Sequence, residues 1–296
     1  MRVLAPAQLN LGLRIVGRRA DGHHELESAF VPLDLADELE VVVEPCAKAE
    51  VELELAGSGD GLPADARNLA ARAAHAFLEA SGLRARVRIA LRKRVPAAAG
   101  LGGGSSDAGA VLRALASRFP EALGPAALAE LAVRLGADVP FFLDPRPALV
   151  GGIGERRAPL PGRIPSLPVL LGNPGEPLAT ASVFAAYAAG PREPSPAGRV
   201  EELWRAALAG PPDGLGERLG PLLENDLEPA AELLCPALGA VRAALRAAGA
   251  LAVGLSGSGA TLYGLFASAA AAEVARARAR LPAPAWLRLA RTLESG

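Results

Sequence analysis

The sequence predicts an α+β protein of two domains, and three observations lead there. The chain has 296 residues, more than a single small core organises. Strand-like and helix-like runs are mixed, with several apparent hairpins, and do not alternate as the strand–helix–strand units of a doubly wound sheet would. A Pro-rich segment at 160–168 interrupts the pattern, and the boundary is placed beside it, giving domains 1–160 and 161–296.

The elements follow in order. Three β-type runs open the chain: "VLAPAQLNLGLRIVG", "HELESAFVPLDLADELEVVVE" and "EVELELAG". The last two alternate apolar and charged residues, as half-buried strands do. Residues 68–81, "NLAARAAHAFLEAS", have helical spacing and stop at Gly82. "ARVRIALRKRVP" reads as a strand, and a Gly-rich loop then feeds a helix over 106–118. "PAALAELAVRLG" is a further helix. In the second half, "PVLLGNP" is a strand, and helices are expected at 181–189, 200–209 and 228–248. A strand–turn–strand, "GLSGSGATLYGLF", a helix over 270–280 and a strand at "WLRLARTL" close the chain. The Pro/Gly stretch 190–198 is expected to be an exposed loop.

Composition narrows the function classes. Formal net charge is −1, so no basic excess points to nucleic acid and no acidic excess to a solvated tail. Cys46 and Cys235 make neither a disulfide framework nor a metal spacing, which fits a reducing, cytoplasmic setting. The N-terminal run is broken by Gln8 and Asn10 and lacks the apolar core of a signal peptide. Residues 251–272 carry no charge and are long enough to span a bilayer. Their Gly/Ser turn would leave backbone polar groups unpaired in lipid, so a soluble strand, a loop and then the start of a helix are expected. No large apolar stripe is left over, and a monomer or weak homodimer is expected.

Chemistry concentrates in a few stretches. In "PAAAGLGGGSSDAG" four glycines fall within residues 100–104, after a strand and before a helix. Bare backbone N–H groups and a helix N-terminus can hold an oxyanion, with Ser105 and Ser106 capping the helix and donating hydroxyls. The loop is neither a Walker A motif nor G-x-G-x-x-G. A tight turn before a capped helix is the plain alternative. "GLSGSGATLYGLF" is a second Gly/Ser loop, either a simple hairpin turn or a second wall of the same phosphate site. Asp138, inside "LGADVPFFL", is either a structural or N-capping carboxylate or a base for a substrate hydroxyl. Gln8 and Asn10 share one face of the first strand, which is either a wetted edge or a polar wall of a site. His23 and His24 follow an Asp-Gly turn. Neighbouring strand residues point oppositely and no third ligand is evident, so base recognition fits better than zinc. No metal-binding residues are expected.

Together these blocks resemble the GHMP kinases and, within them, the 4-diphosphocytidyl-2-C-methyl-D-erythritol kinases. The markers occur in family order: "APAQLNLGL", "GRRADGHHELES", "RNLA", "VPAAAGLGGGSSDAGAVL", "LGADVPFFL", "GGIGE", "ENDLE" and "GLSGSGATLYGLF". The resemblance implies an N-terminal domain like the second domain of ribosomal protein S5, a ferredoxin-like C-terminal domain and an active site between them. It implies ATP-dependent phosphorylation of the 2-hydroxyl of a cytidine diphosphate derivative of methylerythritol, with Mg²⁺, in isoprenoid synthesis. Pro96, Ala97, Ala98, Ala99, Gly100, Leu101, Gly102, Gly103, Gly104, Ser105 and Ser106 would wrap the ATP phosphates. Asp138 matches the catalytic aspartate. His24 matches the histidine bonded to cytosine, and Phe184 the aromatic stacked on it. Asn10, Phe30, Thr180 and Gly257 fall among the substrate-binding positions.

The sequence departs from that family at two positions. Gln8 stands where the family usually has a catalytic lysine, and His23 where it has a tyrosine stacked on cytosine. Gln donates a hydrogen bond but no charge, and Arg18, Arg19 or Lys93 could compensate. Gln8 is also the one feature that favours a catalytically impaired nucleotide-binding homologue. A kinase of the same superfamily for another small alcohol is the remaining alternative.

Overall fold

The structure is a computed structural model that describes residues 1–57, 61–163, 165–190, 193–211 and 214–294. Packing divides the chain into two compact units. One comprises Met1–Ala7, Leu35–Ala97 and Gly102–Pro145, the other Gln8–Asp34, Ala98–Leu101 and Arg146–Gly296. The two long strands β1 (Arg2–Arg18) and β2 (His24–Pro45) each run from one unit into the other.

In the first unit β3 (Glu50–Gly57) pairs in parallel with β4 (Ala85–Lys93), which pairs antiparallel with residues 38–45 of β2. The parallel pair is joined through α1 (Leu69–Ser81). This helix starts where Asn68 Oδ1 accepts the Ala70 N–H at 3.0 Å and stops at Gly82, whose φ is 65°. It buries a face of alanines with Phe77 and Leu78. α2 (Gly103–Arg118) and α3 (Pro125–Leu135) complete the layer, and Leu39, Val41, Val87, Ile89, Val111 and Leu131 meet in its core. A 3₁₀ turn, Val139–Leu143, packs on α2.

In the second unit residues 26–30 of β2 pair with β5 (Ala148–Gly152), which pairs with β6 (Arg156–Pro159). These two strands are short and Gly-flanked, so their alternation is too brief to read from sequence. Next come β7 (Pro168–Asn173), α4 (Thr180–Ala189), α5 (Arg199–Leu208), α6 (Leu215–Arg218), α7 (Glu228–Leu234), α8 (Ala237–Ala247), β8 (Ala252–Leu255), β9 (Leu262–Leu265), α9 (Ala269–Arg278) and β10 (Trp286–Arg291). The sheet order β10-β7-β9-β8, all antiparallel, is the split β-α-β arrangement of a ferredoxin-like domain. Leu170, Val183, Leu238, Val241, Leu245 and Leu262 fill the core beneath it.

Two expected features change. The helix expected over 228–248 is two helices, because Pro236 lacks an N–H and drives Cys235 out of helical geometry (φ −136°, ψ 80°). The helix expected from residue 106 starts at Gly103, with Gly102 (φ 69°) in the N-cap position. Ser105 and Ser106 therefore lie inside its first turns and do not cap it. The uncharged stretch 251–272 is β8, a loop, β9 and the start of α9. No described helix is long and apolar enough to cross a membrane. Residues 191 and 192 of the expected loop 190–198 lie outside the described residues. Elsewhere the segment is fastened by Ser195 N–H to the Ile15 carbonyl (2.7 Å) and by Gly198 N–H to both Glu27 oxygens.

Candidate active site

In the first unit the chemistry gathers where β4 ends and α2 begins. Alternate residues of β4 (Ala85, Val87, Ile89, Leu91) point inward, and the same alternation carries Lys93 inward. A buried ammonium needs partners. Lys93 Nζ donates to Asp37 and to Asp107 (2.7 Å), and both carboxylates are buried. Asp37 also accepts the backbone N–H groups of Arg94 (2.5 Å) and Val95 (2.8 Å), which fixes the chain as it enters the glycine loop. Burial works against the Lys93 ammonium, but Asp107 and Asp37 outweigh it and hold its pKa above the ordinary lysine value. Burial pushes the Asp107 carboxyl up to about 8 against the pull of Lys93, with Asp37 adding to the push. Ser106 Oγ and Asp107 Oδ1 are buried without a partner. A methyl on Gly103 would sit 3.5 Å from Lys93 Nζ.

Asp138 precedes the 3₁₀ turn and is half-buried. Its side chain caps no N–H, which removes the plain N-cap reading. Burial alone pushes its carboxyl up to about 6. The turn can lie close to α2 because residue 109 is glycine. A Cβ there would fall 2.4 Å from Phe142 Cβ and 2.9 Å from its carbonyl oxygen. Arg113 of α2 donates to the Phe142 carbonyl and completes the attachment.

In the second unit the two glycine loops come together. Gly100 has φ 72°, and a Cβ on it would stand 2.6 Å from the Gly259 oxygen and 2.9 Å from that of Ser256. Ser256 Oγ donates to the Gly100 carbonyl (3.0 Å) and accepts the Asn10 N–H (3.4 Å). The Asn10 side-chain amide donates to Ser28 Oγ (3.1 Å), and its Oδ1 would be 3.4 Å from a Cβ on Gly257. Thr180 Oγ1 and Ser258 Oγ are 2.9 Å apart. Gln8, 2% exposed, bonds through its backbone N–H to Leu101, while its Oε1 is buried with no partner.

The same unit holds an aromatic cluster. The His24 ring stacks on Phe184 (centroids 5.5 Å apart, planes at 27°) and meets Tyr187 edge-on at 5.5 Å. Burial first, then the Arg18 charge, lowers the His24 pKa and keeps the ring neutral at pH 7. His23 is not part of this cluster. It is 65% exposed and pairs with Asp21 at 3.3 Å. Phe30 is buried within β2, opposite Ala148 of β5.

Several members escaped the sequence reading. In the sequence Lys93 stands out only as a spare cation, although strict alternation along "ARVRIALRK" places it inward. Asp107 follows from it, since an inward lysine calls for an acidic partner. Tyr187 lies three residues after Phe184, the spacing of one helix face. None of the expected substitutes for a lysine at position 8 is unengaged. Arg18 donates to Gly22, Arg19 pairs with Asp21 and Glu155, and Lys93 is held by its two carboxylates. Among the described residues no group of three His, Cys, Asp or Glu side chains could hold a metal ion.

Comparison with known proteins gives the family. Residues 68–145 match the GHMP kinases N terminal domain, and residues 205–283 match GHMP kinases C terminal. The chain is 45% identical over 288 residues to the 4-diphosphocytidyl-2-C-methyl-D-erythritol kinase of Paracoccus denitrificans, covering 96% of this chain and 94% of that one. It is 43% identical to the kinase of the same name from Thermus thermophilus, covering 90% and 87%. The crystal structure of a 4-(cytidine 5'-diphospho)-2C-methyl-D-erythritol kinase superposes with a TM-score of 0.78 at 41% identity, covering all of both chains.

Proposed function

The chain belongs to the GHMP kinase family, and from that premise we propose that it transfers the terminal phosphoryl group of ATP to the 2-hydroxyl of 4-diphosphocytidyl-2-C-methyl-D-erythritol, a step of isoprenoid synthesis. One observation carries the assignment: likeness to a kinase of this name along the whole of both chains, at 41% identity. The joined glycine loops fit it, because a large phosphorylated ligand needs more backbone donors than one loop supplies.

The site residues take the following roles. The loop 96–106, at the start of α2, wraps the phosphates and holds them with its backbone N–H groups, except at Pro96, which has none, and Ser106, whose N–H bonds to Gly102. Asp138 accepts the proton of the substrate hydroxyl as its oxygen bonds to the γ-phosphorus. The bond from that phosphorus to the β–γ bridging oxygen breaks, and the electron pair leaves with ADP. A carboxyl near pKa 6 is ionised at neutral pH yet still basic enough for this work. Gln8 steadies the transferring group by a hydrogen bond and supplies no charge. Neutral His24 bonds the cytosine edge, and Phe184 offers a face to stack on once the His24 ring moves aside. Asn10, Thr180 and Gly257 line the methylerythritol end, and buried Phe30 and exposed His23 are further candidate substrate positions.

Ser106 Oγ, buried and unpartnered, fits a Mg²⁺ that arrives with the phosphates, since this ion keeps few protein ligands. When bound it would neutralise phosphate charge. We further place the protein in the cytoplasm as a monomer or weak homodimer acting on a small molecule rather than on nucleic acid. The free thiols of Cys46 and Cys235 and the near-zero net charge support this. One feature, Gln8, favours a second reading, an impaired family member that binds nucleotide without turnover. Phosphorus NMR of a reaction with Mg-ATP tests the assignment. A new phosphomonoester on the 2-oxygen, absent with homoserine or mevalonate, is expected. A product from either of those alcohols instead would contradict it.

A further inference from the structure

The block "ENDLE" took no part in the roles above, although it lies among the residues that carry them. Its backbone is fixed against β1. Leu13 N–H donates to the Glu224 carbonyl (3.0 Å), and Asp226 N–H donates to the Leu13 carbonyl (2.9 Å). The Asp226 carboxylate accepts the Ile15 N–H (2.7 Å) and the Ser195 hydroxyl (2.8 Å), and pairs with Arg14 (3.2 Å). Asn225, 5% exposed, is thereby set at a defined point. Its Oδ1 accepts the Leu227 N–H at 2.9 Å, which fixes the orientation of the amide. Both amide hydrogens are then left to donate to the second glycine loop. Nδ2 donates to the Leu255 carbonyl (3.0 Å) and to the Gly257 carbonyl (2.7 Å), the two carbonyls that bracket Ser256.

Ser256 is the residue that ties the second glycine loop to Gly100 and to Asn10. A loop of sequence S-G-S-G has little intrinsic rigidity, and holding it still costs conformational entropy. Asn225 meets that cost with two hydrogen bonds from one rigid amide. We propose that Asn225 is a positioning residue for phosphoryl transfer. It touches no substrate, and it sets the place of Ser256 and through it the spacing of both glycine loops and Asn10. This inference rests on the kinase reading above.

Asn225→Asp keeps an oxygen for Leu227 and loses both donations. Asn225→Ala loses all three bonds. Steady-state kinetics with Mg-ATP and the cytidine diphosphate alcohol, the inhibition constant of CDP, thermal melts and amide hydrogen exchange over 255–260 are measured for both variants and wild type. The expected result is a fall in kcat of about 10–100-fold, with CDP inhibition unchanged and faster exchange in the loop. Unchanged kcat in both variants would overturn the proposal. So would a kcat loss matched by an equal loss of CDP binding, or loss of the fold in both, since either would make Asn225 a residue of general stability. Absence of turnover in wild type would instead contradict the kinase reading, and loop exchange in the variants would still decide the role of Asn225.

Discussion

At the scale of single residues the account turns on Asp138 and Gln8. Burial pushes the Asp138 carboxyl up to about 6, so kcat/KM is expected to fall on the acid side with an apparent pKa near that value. A pH–rate profile checks this, and a limb near pH 4 would contradict it. The same shift has a cost in stability. The folded state binds this proton more tightly than the unfolded chain does. Stability contributed by the site is therefore complete below about pH 4 and is lost as pH rises towards 6. Asp138→Asn is expected to abolish turnover yet raise stability at pH 7.5 by about 1–3 kcal/mol in denaturant titrations. On the role proposed for Gln8, Gln8→Lys adds a charge that would stabilise the developing anion and is expected to raise kcat by about 10–100-fold. Asp138, the glycine loops and His24 stand out in the sequence as candidates because their residue types are unusual where they stand. Lys93 was legible only in its alternation. The Ser256 bond to Gly100 was not legible, because its partners are 156 residues apart and one of them is a backbone carbonyl.

At the scale of elements, α2 and the turn after Asp138 act as one piece. Gly109 makes their close approach possible, and two effects compete on replacing it. Alanine gains about 1 kcal/mol of helix propensity. Against this, its methyl would stand 2.4 Å from Phe142 Cβ, and forcing a group into a packed contact typically costs about 1–3 kcal/mol. The contact is with backbone atoms as well as side chain, so the clash wins. Gly109→Ala is expected to lower Tm and, by shifting the turn that carries Asp138, to lower kcat more than it raises KM. Thermal melts with steady-state kinetics test this, and an unchanged or raised Tm would contradict it. Most element boundaries were readable where a residue enforces them, as Asn68 and Gly82 do for α1. The start of α2 was misread because a glycine in the left-handed region opens it, not a serine side chain. The break at Pro236 was missed because helical spacing continues on both sides of it, although the proline itself was in view.

At the scale of the whole molecule, each unit carries candidate residues of its own. Lys93, Asp107 and Asp138 belong to one, and Gln8, Asn10, His24 and the Ser256 loop to the other. The ferredoxin-like half was expected from the family resemblance, and the order of its strands and helices by itself gave only an α+β reading. The path of β1 and β2 through both units was not legible, since nothing in a strand's alternation tells which neighbours it will pair with. ATP that binds only the folded chain is expected to add about 2.7 kcal/mol of stability at about 100 times its Kd, visible as a rise in Tm. The most direct test of the central claim is ADP release by purified protein with Mg-ATP, with and without 4-diphosphocytidyl-2-C-methyl-D-erythritol, for wild type, Asp138→Asn and Gln8→Lys. The account predicts release that depends on the alcohol in wild type, none in Asp138→Asn and faster release in Gln8→Lys. No alcohol-dependent release in either wild type or Gln8→Lys, with ATP still bound, would contradict it.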